Sequence, residues 1–221
     1  MQKSVIIVAG GSGMRMDSMI PKQFIELNKR PVLIRTIDKF YEYDSEIEII
    51  VVLPLEMVPI WDRLCIEQNF TIKHKVAIGG DTRYHSVKSG LNEVIPGSLT
   101  AIHDGVRPMV SLETIRRCFD VAAEKGNAIP AILPPESIRA LTGTGNRSIP
   151  REDVHLIQTP QVFQWDQLEN AFEQEFTIEF TDDASVVESY GFRINLVEGN
   201  RENIKLTTPI DMKFAELYFN A

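Results

Sequence analysis

The sequence has little that would tie it to a membrane, to the outside of a cell or to a metal framework. Only two cysteines, Cys65 and Cys118, occur in 221 residues. Neither belongs to a Cys-x-x-Cys or Cys/His cluster, so the pattern speaks against a disulfide scaffold and a zinc site and leaves buried, reduced thiols in helical segments. No apolar run approaches the roughly 18 residues a membrane helix requires. The opening run, which stops at Gly10, is too short for a signal-peptide core. The expectation is a cytoplasmic protein. Basic residues are outnumbered, 23 Lys and Arg against 31 Asp and Glu, and the formal net charge of −8 disfavours general affinity for nucleic acid or anionic membrane. The four histidines form no ligand set, and no internal repeat or low-complexity tract is visible.

What is present reads as one α/β unit spanning residues 1–221. Hydrophobic residues make up 43% and charged residues 24% of the chain, ordinary values for a domain with a sizeable core. Apolar, β-branched runs recur at Val5 to Val8, Ile47 to Leu53, Val76 to Ile78, Thr100 to Ile102 and Ala128 to Leu133, with helical patterns between them. Continuous apolar strands that alternate with helices predict a Rossmann-like, mostly parallel sheet with helices on both faces. The stripes Leu33, Ile37 and Phe40, then Leu112, Ile115, Phe119 and Ala122, and finally Ile210, Phe214 and Leu217 are read as core. The alternation breaks at 136–153, where turn residues between β-compatible flanks predict a protruding hairpin, an arm with little core of its own that would pack on a second subunit.

In an open parallel sheet, ligands bind beyond the carboxyl ends of the strands. The first strand runs into Ala9-Gly10-Gly11-Ser12-Gly13-Met14-Arg15-Met16, followed by Pro21-Lys22-Gln23. Closely spaced glycines let backbone N–H groups turn toward an anion, and Arg15 and Lys22 can close on it. Taken alone the loop is equally a steric turn. It is not a Walker A loop, since Lys22 sits between Pro21 and Gln23, nor a dinucleotide fingerprint, since Met16 stands where a third glycine belongs. Other predicted strand ends carry Gly79-Gly80-Asp81-Thr82-Arg83, His103-Asp104-Gly105-Val106-Arg107-Pro108 and Pro134-Pro135-Glu136-Ser137.

These segments, with Thr159-Pro160-Gln161, Thr181-Asp182-Asp183-Ala184-Ser185, Val197-Glu198-Gly199 and Asn203-Ile204-Lys205-Leu206-Thr207-Thr208-Pro209-x-Asp211, resemble the sugar-nucleotide and polyol-phosphate nucleotidylyltransferases along nearly the whole chain. Within them the chain is most similar to the 2-C-methyl-D-erythritol 4-phosphate cytidylyltransferase family of the non-mevalonate isoprenoid pathway. The ribitol 5-phosphate cytidylyltransferases share most of these motifs. The chain departs from the family pattern at Gly105-Val106, where two alanines are common, and at Glu136-Ser137, where Asp-Thr is common.

The resemblance implies transfer of CMP from CTP to a polyol phosphate, with release of pyrophosphate. The nucleophile is already an anion, so the barrier is chiefly repulsion between two phosphorylated reactants, and a site rich in Arg and Lys answers it. It further implies that Arg15 and Lys22 stabilise charge at the α-phosphorus. Ala9, Gly10, Gly11, Ser12 and Gly13 would hold the triphosphate of CTP, and Gly80, Asp81 and Ser86 its base and ribose; for Ser86 a local helix-start hydrogen bond is the alternative. Arg151 and Lys205 would position the attacking phosphomonoester, with Asp104, Arg107, Ser137, Arg139 and Thr159 completing the acceptor pocket. Mg²⁺ would be held mainly by the CTP phosphates, with no dedicated protein metal site. Asp182 and Asp183 are read as a helix cap in preference to a metal pair, and His103 as a residue that orients Asp104. The homodimer would share its active sites through the arm. A nucleotide-binding regulator without turnover is the reading from another class.

Overall fold

The computed structural model describes residues 1–10 and 21–220. Its central sheet contains β1 (Lys3–Val8), β4 (Glu48–Leu53), β5 (Lys75–Ile78), β6 (Leu99–Asp104), β7 (Asn127–Ile132), β10 (Leu156–Ile157), β11 (Gln161–Gln164) and β12 (Leu196–Glu198). The spatial order is β10-β7-β11-β6-β1-β4-β5, with β12 paired to β7. The strands β6, β1, β4 and β5 run parallel, so their carboxyl ends share one edge of the sheet. The mostly parallel sheet expected from the sequence is therefore present, with two departures: the short edge strand β10 is antiparallel to β7, and a second strand enters the interior. β11 is wedged between β6 and β7 and is antiparallel to both.

Side chains of successive strand residues point to opposite faces, and the central strands exploit this to fill two cores. Val5 and Ile7 of β1 and Ile49, Val51 and Leu53 of β4 enter one layer; Ile6, Ile50 and Val52 enter the other. The first layer is closed by Leu33, Ile34, Ile37 and Phe40 of α1 (Val32–Tyr43), Trp61 of α2 (Val58–Glu67), and Ile115, Cys118, Phe119 and Ala122 of α4 (Leu112–Lys125). The second is closed by Tyr84, Val87 and Leu91 of α3 (Arg83–Leu91), Leu168 and Ala171 of α5 (Trp165–Ala171), and Val186 and Val187 of α6 (Asp183–Ser189). Full burial of each such aliphatic side chain contributes about 1.5–3 kcal/mol.

A smaller third cluster joins Leu27, Val106, Met109 and Leu206 to Met212 and Ala215 of α7 (Pro209–Asn220). Leu27 belongs to the short hairpin of β2 (Glu26–Leu27) and β3 (Arg30–Pro31). This arrangement corrects the expectation for the C-terminal stripe. Ile210, Phe214 and Leu217 are 74%, 44% and 71% exposed, because α7 is apolar on two faces and the partners available in the chain cover the one bearing Met212 and Ala215. The cysteines are free thiols, Cys118 fully buried as expected but Cys65 only partly so.

The hairpin predicted within 136–153 is present as β8 (Ile138–Thr142) and β9 (Gly145–Ile149), a two-stranded sheet separate from the main one. It is largely exposed, with Leu141 at 87%. Among the described residues no helix is long and apolar enough to cross a membrane.

Helix α3 lies tight against the sheet at Gly90, where an added Cβ would sit 2.6 Å from Ile6 Cγ2 and 3.0 Å from Val52 Cγ2. Both neighbours are held in the packed core and cannot retreat cheaply. Gly90→Ala is expected to lower stability by about 1–3 kcal/mol, despite alanine's better helix propensity, read as a reduced urea midpoint with unchanged m-value.

Candidate active site

The carboxyl edge of the sheet is assembled by short backbone clips. Ala9 N–H donates to Val52 O at 2.9 Å, Gly79 N–H to Leu53 O at 2.8 Å, Gly105 N–H to Val8 O at 2.9 Å and Leu206 N–H to Val106 O at 3.0 Å. The segments after β1, β5, β6 and β12 are thereby fixed at one end of the sheet. Because β11 runs antiparallel to β6, Gln161 lies opposite Ile102, and Thr159 just before it sits beside Asp104. Two adjoining clefts result. One, of about 270 Å³, is lined by Ala9, Gly10, Lys22, Gln23, Gly80, Asp81, Ser86, Arg83, Asp104 and Lys205, among others. The other, of about 310 Å³, is lined by Arg83, Asp104, Arg107, Gln158, Thr159, Gln161, Asp182 and Lys205, among others. Arg83, Asp104 and Lys205 form the wall between them.

Asp104, at the end of β6, is 6% exposed and faces three cations. Arg107 Nε lies 2.9 Å, Lys205 Nζ 3.2 Å and Arg83 Nε 3.8 Å from its carboxylate oxygens. Burial works against its ionisation, but the charges of Arg83, Lys205 and Arg107 outweigh it and hold the carboxyl well below the usual carboxylate range. Arg107 also donates to Asn203 O at 2.7 Å, and Asn203 in turn donates from Nδ2 to Thr159 O at 2.8 Å.

His103 orients Asp104, as expected from the sequence, and does so without touching its carboxylate. Its Nε2 is 3.1 Å from Arg107 O and its Nδ1 3.0 Å from Thr159 Oγ1. A carbonyl can only accept, so Nε2 carries the proton and Nδ1 accepts from the Thr159 hydroxyl. The same hydroxyl oxygen accepts the Asp104 N–H at 3.1 Å. His103 thus orders Asp104 through Thr159, and complete burial pushes its pKa down to about 4.

On the opposite side, the Gly80–Asp81 turn leads into α3, whose cap Thr82 accepts the His85 N–H. Ser86 Oγ accepts the Gly80 N–H at 3.2 Å and donates to Thr82 O at 2.9 Å, the local bonding weighed as its alternative. It shapes the turn while lining the cleft. Glycine is required at position 80, where a Cβ would stand 2.5 Å from His85 Cβ. Asp182 caps α6 in a capping box with Ser185, as the sequence suggested. Asp183 instead turns inward.

Of the sequence-derived site residues, Ala9, Gly10, Lys22, Gly80, Asp81, Ser86, Asp104 and Lys205 converge on the first cleft, and Arg107 and Thr159 on the second. Ser137, Arg139 and Arg151 line neither. Arg139 donates to Asn146 within the hairpin, and exposed Arg151, in the turn Arg151–Asp153 behind it, donates to Pro135 O at 3.2 Å. Gly11, Ser12, Gly13 and Arg15 lie outside the described residues. Arg83, which the Gly-Gly-Asp-x-Arg motif contains without revealing a role, stands on the wall of both clefts. Its position three residues after Gly80, at the start of a helix on the carboxyl edge, was the available signal.

Cations thus converge on one carboxylate at the carboxyl edge of a mixed α/β sheet, on the wall between two adjoining clefts. The chain belongs to the 2-C-methyl-D-erythritol 4-phosphate cytidylyltransferase (IspD) family, whose model matches residues 4–221. It is similar to the 2-C-methyl-D-erythritol 4-phosphate cytidylyltransferase of Phocaeicola vulgatus, 52% identical over 98% of this chain and 99% of that protein. The enzyme of the same name from Bacteroides fragilis is 53% identical over 97% and 98%. Among solved structures, 4-diphosphocytidyl-2C-methyl-D-erythritol synthase of Anaerococcus prevotii superposes with a TM-score of 0.85 at 29% identity, over 100% of this chain and 96% of that one. The Thermus thermophilus 2-C-methyl-D-erythritol 4-phosphate cytidylyltransferase gives 0.80 at 30% identity, over 100% of both chains.

The neutral, buried His103 sets a pH dependence of stability. Below its ordinary value of 6.5 the unfolded chain takes up a proton that the folded site refuses down to about 4, so stability rises with pH across that window, by about 3 kcal/mol in all. Asp104 adds little there, since its loss begins only as the pH approaches its ordinary value of 3.8 and runs on to more acid pH. Urea midpoints from pH 7.5 to 4.5 are expected to fall more steeply for the wild type than for His103→Gln, which keeps one donor and one acceptor but does not titrate.

Proposed function

We propose that this chain transfers CMP from CTP to 2-C-methyl-D-erythritol 4-phosphate, giving 4-diphosphocytidyl-2-C-methyl-D-erythritol and pyrophosphate. The observation that carries this reading is the pair of adjoining clefts divided by Arg83, Asp104 and Lys205. Family membership supplies the identity of the two reactants. CTP occupies the glycine-bordered cleft, its triphosphate against Gly10 and the segment that follows, its base and ribose against the Gly80–Asp81 turn. The polyol phosphate occupies the second cleft. A phosphate oxygen of the acceptor donates a lone pair to the α-phosphorus, the bond to the β-phosphate bridging oxygen breaks, and pyrophosphate leaves with that electron pair. No proton need be abstracted.

The protein's part is positioning and charge. Lys22, with Arg15 from the preceding segment, offsets charge at the α-phosphorus and on the leaving group. Lys205, 42% exposed and fixed by Asp104, meets the incoming phosphomonoester, and Asp104 and Thr159 border the polyol. Among the described residues no group of three His, Cys, Asp or Glu could hold a metal. Of the two carboxylates that the described residues bring to the first cleft, Asp104 is taken by cations and Asp81 is open to the ligand. That donor set fits Mg²⁺ carried chiefly by phosphate oxygens, where the ion would neutralise triphosphate charge.

The chain would act as one cytoplasmic catalytic unit, residues 1–221, with 136–153 as a dimerisation arm. Ser137, Arg139 and Arg151 lie outside both clefts of their own chain, and an exposed two-stranded hairpin has too little core to stand alone. Both facts support an arm that delivers these residues to the partner's acceptor cleft.

Pyrophosphate release with CTP and Mg²⁺ tests the activity against a panel of 2-C-methyl-D-erythritol 4-phosphate and ribitol 5-phosphate, with ATP, GTP and UTP as alternative donors. Turnover is expected with CTP and the erythritol ester. Lys22→Ala is expected to retain the fold and lose about 10²–10³-fold in kcat, as for removal of one preorganised donor; turnover near the wild-type rate would discard the assignment. The shared site is tested by mixing two inactive variants, Lys22→Ala and Arg151→Ala. Random exchange makes about half of the dimers mixed, each with one intact site, so roughly a quarter of wild-type activity is expected to return. No recovery after verified exchange places Arg151 in its own chain's site.

A further inference from the structure

Asp183 is a buried acidic residue that neither the helix cap nor the proposed chemistry uses. It is 1% exposed, at the first position of α6, while the capping role is filled by Asp182. Its two carboxylate oxygens accept from Arg83 Nη1 and Nη2, both at 2.7 Å, a fork between residues a hundred positions apart. Arg83 directs its Nε toward Asp104 at 3.8 Å, and its side chain remains 29% exposed on the wall common to both clefts.

The anchor is itself tied to the acceptor cleft. Gln161, 1% exposed, donates from Nε2 to Asp182 Oδ2 at 2.8 Å and accepts the Ala184 N–H on Oε1 at 2.8 Å. The start of α6 is therefore held on the first residue of β11, two positions after Thr159. We infer that Asp183 is a positioning residue for cytidylyl transfer: by gripping Arg83 in a fork, it fixes the guanidinium that sets Asp104, and through Asp104 the acceptor-side ammonium of Lys205. This inference rests on the proposed function and deepens it by adding two residues to which that reading gave no role.

The physical reason lies in charge and geometry. Three cations converge on the single carboxylate of Asp104, and each repels the others. A guanidinium free to swing would move toward whichever phosphate entered first, and take the Asp104–Lys205 contact with it. The fork to a buried carboxylate removes that freedom, because a planar pair with two parallel hydrogen bonds has one orientation. Burial opposes charge on Arg83, yet the Asp183 carboxylate more than offsets this and keeps the guanidinium protonated. Burial also pushes the Asp183 carboxyl above its ordinary value, and it is the pair of 2.7 Å hydrogen bonds from Arg83 to its two oxygens that favours the ionised fork.

The test compares wild type, Asp183→Asn, the neutral pair Arg83→Gln/Asp183→Asn and Arg83→Lys in the CTP and methylerythritol phosphate assay, with melting temperature measured beside it. Removing one member of a buried pair is destabilising, so the neutral pair separates folding from function. It is expected to fold, to lose about 10–100-fold in kcat as for a misplaced catalytic group, and to raise KM for the acceptor while KM for CTP stays within about twofold. Arg83→Lys keeps the charge without the fork and is expected to fold and to show the same split with a smaller loss. It decides the matter should the neutral pair fail to fold. A purely structural role predicts lower melting temperatures with kcat per folded molecule and both KM values unchanged, and that result overturns the inference. A wild-type protein inactive with every acceptor overturns the functional reading and this inference together, whereas active wild type with unaffected variants overturns this inference alone.

Discussion

The constraint on which the site depends is the shortage of negative charge around Asp104. Three cations share one carboxylate within 2.9 to 3.8 Å. Two like charges 4 Å apart repel by about 4 kcal/mol at the effective dielectric of a protein surface, so such a group does not assemble unless its frame is rigid and partly compensated. The frame is β6, all six of whose residues are buried, paired to β1 on one side and β11 on the other. The compensation comes from Asp104 itself and from Asp183 behind Arg83.

Behind that first layer stands a second made of uncharged groups. His103, Thr159, Asn203 and the carbonyls of Arg107 and Thr159 form a linked set of hydrogen bonds, met at its edge by the Arg107 guanidinium on Asn203 O, with Asn203 Oδ1 buried and unpartnered among the described residues. Each has its direction fixed by what the neighbour can donate or accept, which is why a neutral imidazole serves where a charged one would lose its acceptor nitrogen. The layer joins the end of β6, the segment before β11 and the segment that bears Lys205. Chain stretches about fifty residues apart in sequence are thereby locked to one another beside the same carboxylate.

How much of this was legible in the sequence follows from the range of the interactions. Val5 to Val8 and Ile47 to Leu53 could be read because a strand buried on both faces has no polar position to confuse the pattern. The glycines and charges at strand ends could be read because a parallel sheet gathers its carboxyl ends. β11 could not, since Gln161-Val-Phe-Gln is four residues long and polar at both ends, and only its pairing makes it a strand. The face of α7 was misread because period reports an apolar stripe but not which of two stripes meets Leu27 and Leu206. The Arg83–Asp183 fork was invisible for a different reason: an ion pair across a hundred residues leaves no local trace, whereas the Asp182–Ser185 cap, three residues apart, does.

An acidic chain with a net charge of −8 looks ill suited to two polyanionic ligands, and the scale of screening resolves the conflict. At physiological ionic strength the Debye length is about 8 Å, so carboxylates on distant surfaces are largely hidden from a phosphate inside the cleft. Groups at hydrogen-bond distance in a partly buried wall are screened far less. Local composition therefore decides, and here Lys22, Arg83, Arg107 and Lys205 meet Asp81, Asp104 and Asp182 across the two clefts. Asp104 does not spoil that balance. It holds three cations in place, so under the proposed function an entering phosphate would meet an array already gathered and the cost of assembling it at the moment of binding would be removed.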